Sequence, residues 1–148
     1  MTVRLAPALR RRGVPAVDRR LFRRRADRVL AALDSSEREL SVSLTGDAEI
    51  AALNAEWRGR EGPTDVLSFS LEEGEHAEFG GALLGDVVIA LPVAARQARA
   101  YGATLDDEVA RLLIHGVLHL LGHDHREPAE ARRMRTEERR VWRAVADD

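Results

Sequence analysis

At 148 residues, with 45% hydrophobic and 32% charged residues and a formal net charge of −2, the chain has the size and balance of one globular unit, not of a disordered or fibrous polymer. Cysteine is absent, which excludes disulfides, thiolate nucleophiles and Cys-ligated zinc together, so any metal must be held by His, Asp or Glu. No apolar run approaches the roughly 20 residues of a membrane span, and the start, Met1-Thr-Val-Arg-Leu-Ala-Pro7, has no secretory hydrophobic stretch, which makes cytoplasmic residence the expectation.

Val3 to Leu5 predicts a first strand. After Pro15, the segment Asp18 to Leu33 places Phe22, Ala26, Val29, Leu30 and Leu33 on one helical face, with Asp18 as N-cap and Val17 and Phe22 as a hydrophobic staple. This front part is basic: residues 1–33 carry ten Arg against Asp18 and Asp27, a net +8 that leaves the remainder at −10. All 23 basic residues are Arg, which a GC-rich coding bias explains. Such a stripe attracts phosphate backbones, although Arg on a solvent-facing helix looks the same in a sequence.

Leu40-Ser-Val-Ser-Leu44 alternates with period two, as a strand with one buried face does. Thr45-Gly-Asp47 turns the chain into a short helix marked by Ile50, Leu53 and Trp57, and Gly59 to Pro63 breaks it, leaving Arg58 in a glycine-flanked loop. Asp65 to Leu71 reads as a strand and Glu72 to Gly81 as a polar, mobile loop. Asp86 to Leu91 is a nearly unbroken apolar run, the pattern of a strand buried on both faces. Pro92 suits the first position of a helix that Gly102 ends.

Thr104-Leu-Asp-Asp107 is a capping-box-like start for a helix from Glu108 to Leu121 so rich in Leu and Val that it must lie centrally and buried. Gly122 is its stop, and Pro128 opens a last amphipathic helix with Ala131, Met134, Val141, Trp142 and Val145 inward. Neither a repeat nor an interdomain linker interrupts this order, so a single domain over residues 1–148 is expected.

Four of the five histidines fall between His115 and His125. His115 and His119 are four apart, so both imidazoles leave one face of the helix within reach of a common ion. Gly122 lets the chain double back so that His125 can bring a third nitrogen. Three neutral imidazoles leave a tetrahedral zinc one position for water, the layout of a catalytic rather than a closed structural site. A competing reading makes His115 and His119 core histidines and His123 and His125 surface residues, but several imidazoles on a Leu-rich helix are awkward to satisfy that way. The spacing H-x3-H-x2-G-x2-H is also that of the metzincin metalloproteases, whose second motif position is a Glu serving as general base. Here it is Gly116, so that base is missing.

Together the motifs resemble the YbeY family of bacterial single-strand endoribonucleases that act in ribosomal RNA maturation. The resemblance rests on His115-Gly-x-Leu-His119-Leu-x-Gly122-x-Asp124-His125, on Thr64-Asp-Val-Leu-Ser-Phe69, on Leu84-Gly85-Asp86 before an apolar strand, and on Leu53-Asn54 with Arg58 following. It covers most of the chain, is weakest over residues 1–35, and departs from the family at His123, where Tyr is usual. It implies an α+β fold, a mixed sheet of about four strands packed with about five helices, around a central metal-binding helix with a zincin- or metzincin-like metal site. It also implies one zinc per chain on His115, His119 and His125, and a functional Arg58. The substrate implied is single-stranded RNA, with a part in 16S rRNA 3′-end maturation and ribosome quality control beside the small ribosomal subunit and its assembly factors, and no membrane.

In the mechanism expected, an ion on His115 and its partners polarises the phosphodiester while Arg58 neutralises the charge that builds on the phosphoryl group. Arg58 and His115 are thus the candidate catalytic residues. Asp124 either orients a ligand imidazole or caps the following turn. Asp65 and Asp86, at strand starts, read better as makers of structural hydrogen bonds than as carriers of chemistry, which leaves the general base unassigned. The Thr64 to Leu71 strand and the Glu72 to Gly81 loop would form one groove wall, with the Arg-rich front helix steering RNA by its field. Two other classes compete: a metzincin-like metallopeptidase, and a ribosome-assembly factor without catalysis.

Overall fold

A computed structural model of the chain describes residues 2–5, 16–62, 64–70 and 83–146. In chain order they form β1 (Thr2–Leu5), α1 (Arg19–Ala32), β2 (Glu39–Thr45), α2 (Asp47–Arg58), β3 (Val66–Ser70), β4 (Leu83–Ala90), α3 (Leu91–Tyr101), α4 (Leu105–Leu120) and α5 (Pro128–Ala146). Five helices and a mixed sheet make an α+β fold, as expected. The strands β2, β4 and β3 form the mixed core of the sheet, β2 parallel and β3 antiparallel to β4, and β1 pairs in parallel along the outer edge of β2. The Glu72 to Gly81 loop and Leu71 lie outside the described residues, as does most of the chain before Ala16 that contributes to the basic stripe.

The apolar run of β4 is used on both sides. Val87 and Ile89 join Leu40, Val42 and Leu44 of β2 in the larger core under α1, α4 and α5. Val88 and Ala90 join Leu67, Phe69 and Ile50 of α2 in a smaller one on the opposite face. Leu91, expected to end the strand, instead opens α3, because Pro92 already sits in that helix's first turn.

Two side chains face against their type. Trp57 does not turn inward: it is 48% exposed, with its ring edge-on to Phe69 at 6.1 Å between centroids. Arg25, which reads as a solvent-side residue of α1, is buried, and its Nη1 donates to Asp107 Oδ1 at 3.0 Å and to the Asp106 carbonyl at 3.3 Å. The bond to Asp107 also explains why the Thr104 cap is one-sided. Thr104 Oγ1 accepts the Asp107 N–H at 3.1 Å, but Asp107 turns its carboxylate to Arg25. This cap starts α4 at Leu105, a turn earlier than Glu108. Among the described residues no helix is long and apolar enough to cross a membrane.

Candidate metal centre

His115 and His119 leave α4 on one side because four residues advance a helix by little more than a turn. Their Nε2 atoms stand 3.1 Å apart, with the rings edge to face. At the end of α4, Gly122 takes a φ of 97°, its N–H donating to the His119 carbonyl and that of His123 to the Leu118 carbonyl, both at 3.0 Å. This pair of bonds is a Schellman closure, and a glycine at that position meets its left-handed backbone without strain. The chain then turns back, bringing the His125 ring within 5.8 Å of that of His115 and 5.3 Å of that of His119. One nitrogen of each imidazole lies within 4.8 Å of the other two.

This donor set fits one divalent ion. Nitrogens around a tetrahedral zinc, bonded at about 2.0–2.1 Å, stand roughly 3.3 Å apart, close to the separation of the His115 and His119 pair. Burial first, then the neighbouring His115 and His125, pushes His119 below the ordinary imidazole value, which keeps its lone pair available. From α5, Glu138 Oε1 comes within 3.2 Å of His115 Nδ1. Accepting the proton there leaves Nε2 bare on the side of the other two rings, the arrangement by which a carboxylate fixes the tautomer of a metal-binding histidine. Nothing in the sequence pointed to Glu138, which lies 23 residues from the imidazole it faces.

The trio lies in a cleft of about 760 Å³ whose other wall includes Asn54 and Arg58 of α2 and Thr64, Asp65 and Ser68 at β3. Arg58 is the last residue of α2, not a loop residue, because the left-handed Gly59 ends the helix only after it. Its guanidinium lies over the Phe69 ring at 4.9 Å from the centroid, and its Nη2 donates to the Ser68 carbonyl. Ser68 Oγ in turn donates to the Gly116 carbonyl at 2.9 Å. Gly116 itself is pressed on the sheet: a Cβ there would come within 2.9 Å of Val87 Cγ1 and 3.0 Å of Ser68 Oγ. The position that carries Glu in the metzincin motif therefore has neither a carboxylate nor room for one.

The remaining candidates separate. Asp124 shapes the loop that carries His125, accepting the His125 N–H at 2.7 Å and pairing with Arg126 at 3.2 Å. That backbone bond, with help from Arg126, holds its carboxyl below the usual range. His123 lines the cleft, and its backbone closes α4. Asp65 also lines the cleft but is engaged structurally, accepting from the Val66 N–H at 2.8 Å and from Gln97 Nε2 at 3.3 Å. Asp86 pairs in register with Ser41 and Phe69, on the sheet face with Val88 and away from α4, and is not among the described residues lining the cleft. Asn54 is buried and donates to the Gly62 carbonyl at 3.0 Å, fixing the loop between α2 and β3.

Comparison with known proteins follows the same lines. The family model described as Endoribonuclease YbeY matches residues 13–146. The chain is 51% identical over 144 residues to an Endoribonuclease YbeY of Anaeromyxobacter sp. (strain Fw109-5), covering 97% of this chain and 72% of that relative. It is 42% identical over 142 residues to one from Geobacter metallireducens, covering 95% and 94% of the two chains. Among solved structures, a Thermotoga maritima protein determined in solution matches with a TM-score of 0.63 at 22% identity, over 98% of this chain and 89% of that one, a likeness of fold.

Proposed function

This chain belongs to the YbeY endoribonuclease family, and on that basis we propose that it is a zinc-dependent endoribonuclease that cuts single-stranded RNA. Its place is 16S rRNA 3′-end maturation and ribosome quality control in the cytoplasm, on the small ribosomal subunit with its assembly factors. Residues 1–148 form one such domain, holding one zinc on His115, His119 and His125. The observation that carries the reading is the gathering of three imidazole nitrogens within 4.8 Å in the same cleft as a guanidinium.

A divalent ion on that trio supplies Lewis acidity toward a phosphoryl oxygen or a water. The chain's own residues do the rest. Glu138 holds the His115 ring in one tautomer and one orientation. Arg58 neutralises charge on the phosphoryl group; its planar fork pairs two oxygens at once, and its seat on Phe69 and the Ser68 carbonyl holds it in place beforehand. Two histidines on one helix and a third past a glycine resemble the layout of zincins. The packed Gly116 favours phosphodiester over peptide cleavage, since peptide hydrolysis at such a centre relies on the carboxylate that this position lacks.

Cleavage of single-stranded RNA by the purified protein, with and without chelator and beside His115→Ala and Arg58→Ala, tests the reading. Chelation and both substitutions should abolish or cripple cleavage, Arg58→Ala by about 10²–10³-fold, the cost of removing one donor to a developing charge. Equal cleavage by every sample would mean a contaminating nuclease and sink the proposal. Full cellular function with His115→Ala would point instead to an assembly factor without catalysis.

A further inference from the structure

Behind the histidine trio, between α4 and α5, a second cavity of about 370 Å³ is lined by Arg111, Ile114, Arg135, Glu138, Arg139 and Trp142. Arg135 and Arg139 are one turn apart on α5 and leave it on the same side, while Arg111 faces them from α4 one turn before His115. Elsewhere Arg25, Arg96, Arg126 and Arg140 each sit against a carboxylate. The three cavity arginines are exposed, and none makes a hydrogen bond or ion pair with a described residue. Three guanidiniums around one hollow repel each other unless an anion joins them. Arg111 feels the Glu108 carboxylate one turn away on α4, but Arg135 and Arg139 form no ion pair with a described residue, so positive charge dominates the hollow.

Glu138 is the one acid among the lining residues, and its Oε1 is turned to His115 Nδ1 at 3.2 Å. The His115 and Glu138 pair therefore forms a partition, with the imidazole lining the cleft and the carboxylate lining the second cavity.

We propose that this cavity is a second phosphate subsite, holding a phosphodiester of the bound single strand beyond the one at the metal centre. The hollow is larger than a lone phosphate ion requires. Its apolar part, Ile114 and the half-buried ring of Trp142 backed by the Arg25 guanidinium at 5.8 Å, suits a ribose or base attached to that phosphate. The subsite rests on the reading of the cleft as an RNA-cutting site and extends it: the strand is gripped on both sides of the partition, so that affinity depends on length.

The test is binding of a fluorescent, nuclease-resistant 2′-O-methyl single strand to the protein as purified, by anisotropy from low to physiological salt. Wild type is compared with Arg135→Gln/Arg139→Gln and with the charge-matched Arg132→Gln/Arg143→Gln, whose side chains are exposed on α5 outside the cavity. Removing one arginine that neutralises a phosphate makes the slope of log affinity against log salt shallower by about 0.7, so the cavity variant should show weaker binding and a slope shallower by about 1.4. The charge-matched variant should keep the wild-type slope. Equal slopes and affinities for cavity variant and wild type would overturn the subsite, and so would an equal change in both double variants, which would reduce it to a diffuse field. Wild-type binding that responds as expected while the metal-loaded protein cuts no RNA would instead remove the nuclease reading and leave the subsite standing.

Discussion

The two ends of α4 are held in opposite ways. At the N-terminal end unlike groups meet: Thr104 caps the Asp107 N–H, Asp107 faces Arg25 at 3.0 Å, and Asp106 accepts the Asp18 N–H at 2.9 Å. At the C-terminal end like meets like, three imidazoles crowding together where the helix closes on backbone bonds around Gly122. The first end is held by partners within the chain, although Arg25 Nε is buried there without a hydrogen-bond partner. The second closes its backbone but gathers three donor nitrogens that could share one cation, so the two ends should respond to substitution differently, the first in stability and the second in metal affinity.

The largest expected effect is on the open end. His119→Ala should lower RNA cleavage on the order of a thousandfold, the several kcal/mol that a lost Lewis acid represents. The metal-free protein should melt no lower than wild type, since a repulsive neighbour is gone; a marked loss of thermal stability would show that the trio is a structural cluster after all. Glu138→Gln comes next. It should weaken metal affinity about 10–100-fold, read by competition with a chromogenic chelator, and unchanged affinity would mean that Glu138 does not orient His115.

Arg25→Ala belongs to the closed end. It should cost about 1–2 kcal/mol in denaturant unfolding through the loss of a partly buried charged hydrogen bond, with cleavage per folded molecule unaltered. Glu108→Gln is the smallest and has the opposite sign. Glu108 is buried near the same end, and burial pushes its carboxyl above the ordinary range, with Arg111 pulling against that and Asp65 adding to it. Between the ordinary and the raised value the folded state holds the proton more tightly than the unfolded one, so wild type loses stability as pH climbs through that window. At pH 7 the Gln variant should therefore melt slightly higher, with the difference closing at about pH 4, where the unfolded carboxyl is itself largely protonated.

What could be read from the chain follows from the range of the interactions. The histidine spacing, the stop at Gly122 and the caps at Asp18 and Thr104 are local, involving residues within a few positions of one another, and they stand where their patterns predict. The double-sided burial of β4 is also local, since an unbroken apolar run admits few other uses. Arg25 was illegible because a charge on an amphipathic helix reads as solvent-facing unless its partner is known, and Asp107 lies 82 residues away. Glu138 was hidden for the same reason: the rotation of α5 about its axis decides which of its many charged residues meets His115. The sheet order, with β4 between β2 and β3, likewise depends on pairings that no spacing within a strand records.

Ser68 gives the cleft a fixed gauge. With its hydroxyl on the Gly116 carbonyl and its own carbonyl on the Arg58 guanidinium, one residue ties the helix of the histidines to the cation opposite through two short links. Each link joins a side chain to a backbone carbonyl, so β3 cannot drift outward without breaking one of them or dragging Arg58 along. Under the proposed function, a strand entering the cleft would meet the histidine trio and Arg58 at a separation that Ser68 holds from both sides.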